Sequence, residues 1–129
     1  MTRIEQLHIQ QAECAKEDLA LTNAAVVVRA EIVSVTAPQE AREKMPLYLI
    51  RSIQFADRVI ALYNRWIELL KEERDFSPSP STERLTAISA QILDLRQVLA
   101  ALGKKKDETT RLLNLDMQSL VEQITQVPR

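Results

Sequence analysis

Glycine is almost absent from this sequence, with one residue, Gly103, among 129. An average globular protein contains roughly 7% glycine. Hairpin turns and β-bulges use glycine because it reaches backbone conformations that other residues avoid. The shortage of glycine therefore argues against an all-β or an α/β fold and favours an all-α fold.

Cysteine and net charge are scarce as well. Cys14 is the only cysteine, which excludes a disulfide within one chain and a zinc site built from cysteines. The 17 lysine and arginine residues are balanced by 18 aspartate and glutamate residues, so the formal net charge is -1. A chain so balanced has no overall field that would attract nucleic acid or an anionic membrane.

Long uninterrupted apolar runs are also missing. The run at 24–28 ends at Arg29, far short of the roughly 20 apolar residues that a membrane span needs. The N-terminal residues Thr2 to Glu5 match a helix capping box rather than a secretion signal. We therefore expect a cytoplasmic protein with no membrane partner.

The sequence does contain apolar residues at alternating spacings of four and three, the pattern of one side of an α-helix. The clearest series comprises Leu49, Ile53, Ala56, Ile60, Tyr63, Ile67 and Leu70. A second series comprises Leu85, Ile88, Ile92, Leu95, Leu99 and Leu102. These series predict an all-α, antiparallel bundle of about four long helices, packed as in a coiled coil within one domain, 1–129.

Four helical segments are predicted, with the second at the centre of the bundle. Their approximate bounds are 3–35, 46–74, 80–102 and 107–127. Pro46 suits a first helical turn, and the proline-rich stretch at 75–80 cannot continue a helix. Gly103, followed by three lysines, is typical of a helix C-terminus.

Two of these boundaries have open alternatives. The β-branched residues between 26 and 35 favour a strand locally, although no second segment offers a strand partner. The third and fourth segments can also join through Gly103 as one helix, because 105–111 would tolerate helix well. We predict helix for the first case and a break for the second.

The central segment, 46–74, has an unusually wide apolar face. Besides its main series it carries Phe55, Leu62, Trp66 and Leu69. A helix of this breadth lies in the interior of a bundle, which is the simpler interpretation, or supplies an interface with a second chain. For the interface we predict these four residues as contacts, with Trp66 as the anchor because aromatic residues dominate interface energetics.

Two polar residues, Gln11 and Asp18, occupy apolar-stripe positions in the first segment. A buried carboxylate is costly unless it is paired. Either the N-terminal half of the segment projects beyond the bundle into solvent, or these groups fix the register of a paired helix. We favour projection because Ala12 and Ala15 give that half little apolar mass.

Four basic residues, Lys44, Arg51, Arg58 and Arg65, recur every seven residues and would form a line of positive charge on a helix. Such a line can follow a phosphate backbone. Acidic residues lie between them, so a solvated face with local ion pairs is the simpler interpretation. Nucleic-acid or phosphate binding is therefore the alternative function.

Signals for catalysis are weak. His8 is the only histidine, and although Glu5 gives it the Glu-x-x-His spacing of di-metal bundles, such a site needs that motif on two helices. No glycine-rich phosphate loop or zinc spacing is present, so we expect no enzyme, no cofactor and no metal.

We predict instead a non-catalytic module for protein–protein interaction, namely an adaptor, assembly factor or small chaperone. It would bind another protein through apolar helix surface and self-associate, with a dimer favoured.

Overall fold

Helices account for nearly all of the chain that the structure describes. They are Arg3–Val33 (α1), Pro38–Arg74 (α2) and Thr82–Gln126 (α3). The computed structural model describes residues 1–33 and 38–126, and it describes side chains at 1–27 and 46–115. No strand occurs within these residues, so the all-α prediction is confirmed. The predicted number of four helices is wrong, because the last two segments form one helix.

The start of α1 is capped as the sequence predicts. The backbone N–H of Glu5 donates to Thr2 Oγ1 (3.2 Å), and the backbone N–H of Thr2 donates to Glu5 Oε2 (3.2 Å). These are the two reciprocal bonds of a capping box. The helix then continues to Val33, so the β-branched residues up to 33 are helical, while 34–35 lie outside the described residues.

The second helix, α2, begins at Pro38 and contains Pro46, so the predicted start at 46 is wrong. A proline inside a helix removes one backbone hydrogen bond and crowds the preceding turn. Residues 39–45 are all good helix formers, and they extend the helix through that defect. Pro38 takes the first helical position, where a missing N–H is no loss.

The third helix, α3, runs through Gly103 to Gln126, so the predicted break is wrong and 80–102 and 107–127 belong to one helix. The lysines that resemble a C-terminal cap are also good helix formers in mid-helix. Lys106 forms an ion pair with Asp57 of α2, which holds this stretch of α3 against its neighbour. Residue 127 lies outside the described residues.

The N-terminus of α3 is two residues later than predicted. Ser81 caps it, because Ser81 Oγ accepts a hydrogen bond of 3.2 Å from the backbone N–H of Arg84. This is the bond from an N-cap hydroxyl to the third helical residue. The cap places Arg84 in the first turn of α3, beside the end of α2.

Replacing Gly103 by alanine should stabilise the protein by about 0.5–1 kcal/mol. A Cβ atom at this position would meet nothing within 4 Å, and alanine loses less backbone entropy than glycine in a helix. Urea unfolding followed by circular dichroism measures the change, and Ala100→Gly, at an exposed position of the same helix, should produce a loss of similar size. Destabilisation by Gly103→Ala would instead indicate that the helix ends at this glycine, since a glycine C-cap resists replacement.

The two outer helices run antiparallel to α2 and both pack on it. On the α1 side, Arg3 Nη2 lies 2.6 Å from Glu72 Oε2. On the α3 side, Arg84 bonds to Glu73 near the turn, and Lys106 pairs with Asp57 farther along. Among the described residues no Cα atom of α1 lies within 8 Å of one in α3, so the backbones of the two outer helices stay apart, although their side chains meet at Gln11 and Arg84.

The core lies where the three helices meet, close to the turn between α2 and α3. Its buried cluster comprises Cys14, Leu62, Trp66, Ile67, Leu70, Ile88, Ile92 and Leu95. Most of these residues come from α2 and α3, and α1 contributes Cys14. Both predicted apolar series therefore supply core residues, with α2 at the centre.

One stretch of α3, Thr82–Leu115, is long and apolar enough to cross a membrane by length and composition alone. Its most apolar window has a hydropathy of 1.3, and 17% of that window is buried. Because core helices of bundles meet the same criterion, this is a weak indication of location. It does show that, within the described residues, α3 carries apolar surface that the other two helices leave uncovered.

Candidate functional site

The best-defined polar site lies at the end of the bundle where all three helices meet. Glu73, in the last turn of α2, has a side chain only 1% exposed. Arg84 Nε donates to Glu73 Oε2 (2.6 Å), and Arg84 Nη2 donates to Glu73 Oε1 (2.9 Å). The capped start of α3 thus forms a bidentate ion pair with the end of α2, which is the strongest geometry for a guanidinium and a carboxylate.

The first helix completes this network. Gln11 Nε2 donates to Glu73 Oε1 (2.8 Å), and Gln11 Oε1 accepts from Arg84 Nη2 (3.0 Å). His8 Nε2 lies 3.2 Å from Glu73 Oε1, with about half of the imidazole exposed. We call His8, Gln11, Glu73 and Arg84 the Glu73 cluster.

Each member of the ion pair stabilises the charged form of the other. The hydrogen bonds from Arg84 lower the pKa of Glu73 below its ordinary value, and they outweigh burial, which raises it. The same contact raises the pKa of Arg84. Glu73 is therefore an ionised carboxylate at neutral pH, and it is not available as a general acid.

A second polar contact between helices lies two helical turns farther along α1. Tyr63 Oη donates to Asp18 Oδ1 at 2.7 Å. Burial, reinforced by this hydrogen bond, raises the pKa of Tyr63 to about 12, so the phenol stays protonated. Tyr63 also packs edge-on against Trp66, with ring centroids 6.2 Å apart and planes at 77°.

These contacts overturn the prediction that the N-terminal half of α1 projects into solvent. Gln11 is buried and bonded to α2 and α3, and Asp18 is bonded to α2. The other alternative describes the structure better, because polar groups at stripe positions connect one helix to the next. The sequence shows Gln11 and Asp18 but does not reveal their partners on the other helices.

A cleft of about 680 Å³ opens beside the Glu73 cluster. Ala12 and Ala15 of α1 line one side, Gln91 of α3 lines the other, and Trp66 of α2 lies between them. The indole Nε1–H of Trp66 is buried and has no hydrogen-bond acceptor among the residues that the structure describes. The cleft is therefore an apolar trough with hydrogen-bonding groups at one end.

The four predicted interface residues lie within the monomer. Leu62 and Trp66 are buried in the core, while Phe55 and Leu69 are partly buried, with Leu69 packed against the core. This face of α2 is thus covered largely by α1 and α3, as in the interior interpretation. A role for these residues in binding a partner stays a prediction.

The large exposed apolar side chains lie elsewhere, at the N-terminus, on the outer helices and in the N-terminal half of α2. Within the described residues they are Met1, Ile9, Leu19, Val26 and Val27 before α2, Leu47 and Ile50 in α2, and Leu93, Val98, Leu112 and Leu115 in α3. Sequence reasoning missed them because they lie off the main stripes. The signal was a second series on α1, since Ala12, Ala15, Leu19 and Val26 repeat the spacing of three, four and seven residues.

The predicted basic line is partly interrupted by acidic partners. Arg51, Arg58 and Arg65 are exposed on α2, and the side chain of Lys44 lies outside the described residues. Arg65 Nη2 is 3.9 Å from Glu13 Oε2 of α1. Binding of nucleic acid along this line stays a prediction, which charge reversal at Arg58 and Arg65 would test through the salt dependence of affinity.

The described residues contain no group of three or more histidine, cysteine, aspartate and glutamate side chains placed to hold a metal ion. Glu5 serves as a helix cap, and His8 faces Glu73 instead. Burial raises the pKa of the Cys14 thiol, which disfavours the reactive thiolate.

No family model, curated protein or solved structure matches this chain. The features that bear on function are the cleft, the Glu73 cluster and the exposed apolar side chains.

Proposed function

We propose that this chain is a non-catalytic helical interaction module, an adaptor, assembly factor or small chaperone, that seats an amphipathic helix of another protein in the cleft between α1 and α3. The observation that carries this proposal is the separation of the two outer helices. Helices in direct contact have axes 8–10 Å apart, whereas α1 and α3 have no Cα atoms within 8 Å of each other in the described residues. The cleft is where a fourth helix of a bundle would lie.

Apolar side chains that extend the cleft along α1 and α3 support an apolar ligand. Beyond the residues that line the cleft, Leu19 and Val26 of α1 continue the line of Ala12 and Ala15 and are 62% and 64% exposed. On α3, Val98 lies seven residues after Gln91, on the same side of the helix, and is 42% exposed. Apolar positions at these spacings match the contacts of a helix bound in a groove.

Small side chains in the cleft also favour a helix as the ligand. Ala12 and Ala15 are exposed and let a partner helix approach the α1 backbone closely. Thr22, on the same side, donates its hydroxyl to the Asp18 carbonyl of its own helix (2.9 Å), so the hydroxyl is satisfied before any partner arrives. Self-association as a dimer and a cytoplasmic location are further parts of the proposal, consistent with balanced charge and a single buried cysteine.

Selection from a phage-displayed library of random helical peptides tests the proposal. We expect enriched peptides with apolar residues at positions i, i+3 or i+4, and i+7, and affinities about tenfold weaker for Ala15→Gln than for wild type. Ala20→Gln is the matched control, since Ala20 is exposed on α1 and does not line the cleft. Peptides that bind both variants and wild type equally would exclude the cleft as the docking site.

A further inference from the structure

At the end of the cleft, the acceptor atoms of Glu73 are more fully occupied by hydrogen bonds than the N–H donors around them. Glu73 Oε1 receives contacts from Gln11, Arg84 and His8, and Oε2 receives the short bond from Arg84 Nε. The two carboxylate oxygens offer about four acceptor sites, most of which are used, and because the side chain is only 1% exposed a ligand cannot reach Glu73 from the cleft.

Donors, by contrast, remain. Arg84 uses Nε and Nη2 on Glu73 and Gln11, which leaves Nη1 with its N–H groups on a side chain that is 37% exposed. Gln11 Nε2 donates one of its two N–H groups to Glu73. Trp66 Nε1–H has no acceptor among the described residues either, but it is buried, so Arg84 and Gln11 supply the donors that a ligand can reach.

The charged residues at this end of the cleft, like its free donors, favour an acidic ligand. Glu73 is the only acidic side chain among the described residues that line the cleft, and Arg84 neutralises it. His8 is half exposed at the same end and presents its imidazole to the cleft. An approaching acidic group would therefore meet donors and no opposing free carboxylate, whereas a basic group would find its natural acceptor already occupied.

From this complementarity, and resting on the proposed function, we infer that the helix seated in the cleft carries an aspartate or glutamate that binds at Arg84 and His8. Its apolar residues lie along Ala12, Ala15 and Trp66. A free small carboxylate would satisfy the same donors but would leave the apolar side chains of α1 uncovered. The favoured occupant is thus an amphipathic helix with an acidic residue at one end of its apolar stripe.

Paired peptides test this inference without altering the protein. The most strongly enriched library peptide is synthesised with its acidic residue and with that residue changed to the neutral amide, Glu→Gln or Asp→Asn. Each is titrated while the emission of Trp66, the only tryptophan in the chain, reports occupancy of the cleft. We expect the amide peptide to bind about tenfold more weakly, because a charge-assisted hydrogen bond is lost, and we expect added salt to reduce this difference.

Two further measurements locate the carboxylate. Arg84→Lys, with helicity confirmed by circular dichroism, should reduce the preference for the acidic peptide, since lysine cannot form the same paired contacts. Excess 4-phenylbutyrate, a free carboxylate with an apolar body, should fail to displace the acidic peptide. Displacement by 4-phenylbutyrate would overturn the assignment to a helical peptide.

The outcomes separate the two proposals. Enriched peptides that depend on Ala15 but contain no acidic residue, or that bind equally as acid and amide, would overturn the inference and leave the docking cleft intact. A library that yields no peptide dependent on Ala15 would overturn both proposals.

Discussion

Replacing Glu73 by glutamine is expected to reduce the free energy of unfolding by about 3 kcal/mol. The change preserves the shape of the side chain but removes the charge that binds Arg84. It also places an amide against the donors of Gln11 and His8. The loss falls at the low end for a broken buried pair because Arg84 is partly exposed and water can solvate it again. Urea unfolding at neutral pH measures the difference.

Glu72→Gln is the matched control for this prediction. Glu72 is the preceding residue and pairs with Arg3, but both side chains are more than 40% exposed, at 45% and 42%. An exposed ion pair contributes under about 1 kcal/mol. If the two variants lose equal stability, the Glu73 cluster does not hold the three helices together.

The effect of Glu73→Gln should also depend on pH. Arg84 lowers the pKa of Glu73 in the folded chain, so the folded state favours the charged carboxylate more than the unfolded state does. Its contribution to stability is complete above the ordinary carboxyl pKa, about 4.3. It is lost as the pH falls through the lower pKa of the folded chain. Wild type and Glu73→Gln should therefore converge in stability in acid, and a constant difference down to that range would contradict this account.

The sequence predicted the helices well and their ends less well, for a physical reason. The capping box at Thr2 and Glu5 and the four-three series depend on neighbours within one helix, so the local pattern contains the information. The predicted boundaries at Pro46 and Gly103 depend on a competition between a local defect and the helix-forming residues around it. At both positions the neighbours prevail, and at Gly103 the pair between Lys106 and Asp57 adds support from another helix.

The sequence alone indicated only part of the Glu73 cluster. Gln11 is noticeable as a polar residue in an apolar stripe, and Glu73 lies seven residues after Trp66, on the same side of α2. The bond between them spans 62 residues, and nothing in either segment specifies that pairing. The sequence therefore shows a polar group that needs a partner, while the packing of α1 on α2 determines which partner it has.

The sequence correctly predicted a broad apolar face on α2, but it did not decide whether that face is interior or binds a partner. An interior helix packed on two sides and an interface helix both need a broad apolar surface. In the structure α1 and α3 cover Leu62 and Trp66. The surface left for a partner is consequently on the outer helices, where the apolar residues are fewer and more widely spaced.

Leu70→Ala is expected to be the other strongly destabilising change, with a loss of about 3–4 kcal/mol in the free energy of unfolding. Leu70 is fully buried in the core cluster beside Ile88 and Ile92. Removing its branched end loses apolar burial and leaves a cavity that helices fixed by the Glu73 cluster can only partly close. For a domain with a typical total stability of 5–15 kcal/mol, the midpoint of urea unfolding should fall markedly.

Leu93→Ala on α3 is the control, because Leu93 is 57% exposed and its truncation should change stability by less than about 1 kcal/mol. Both variants are measured over a dilution series, with molar mass recorded at each concentration. A large loss at Leu93 that disappears on dilution would mean that another copy of the chain covers this part of α3 in solution, since only an associated state has a stability that depends on concentration. A large loss at every concentration would mean that the chain itself buries Leu93, which the packing of α3 on α2 alone does not allow.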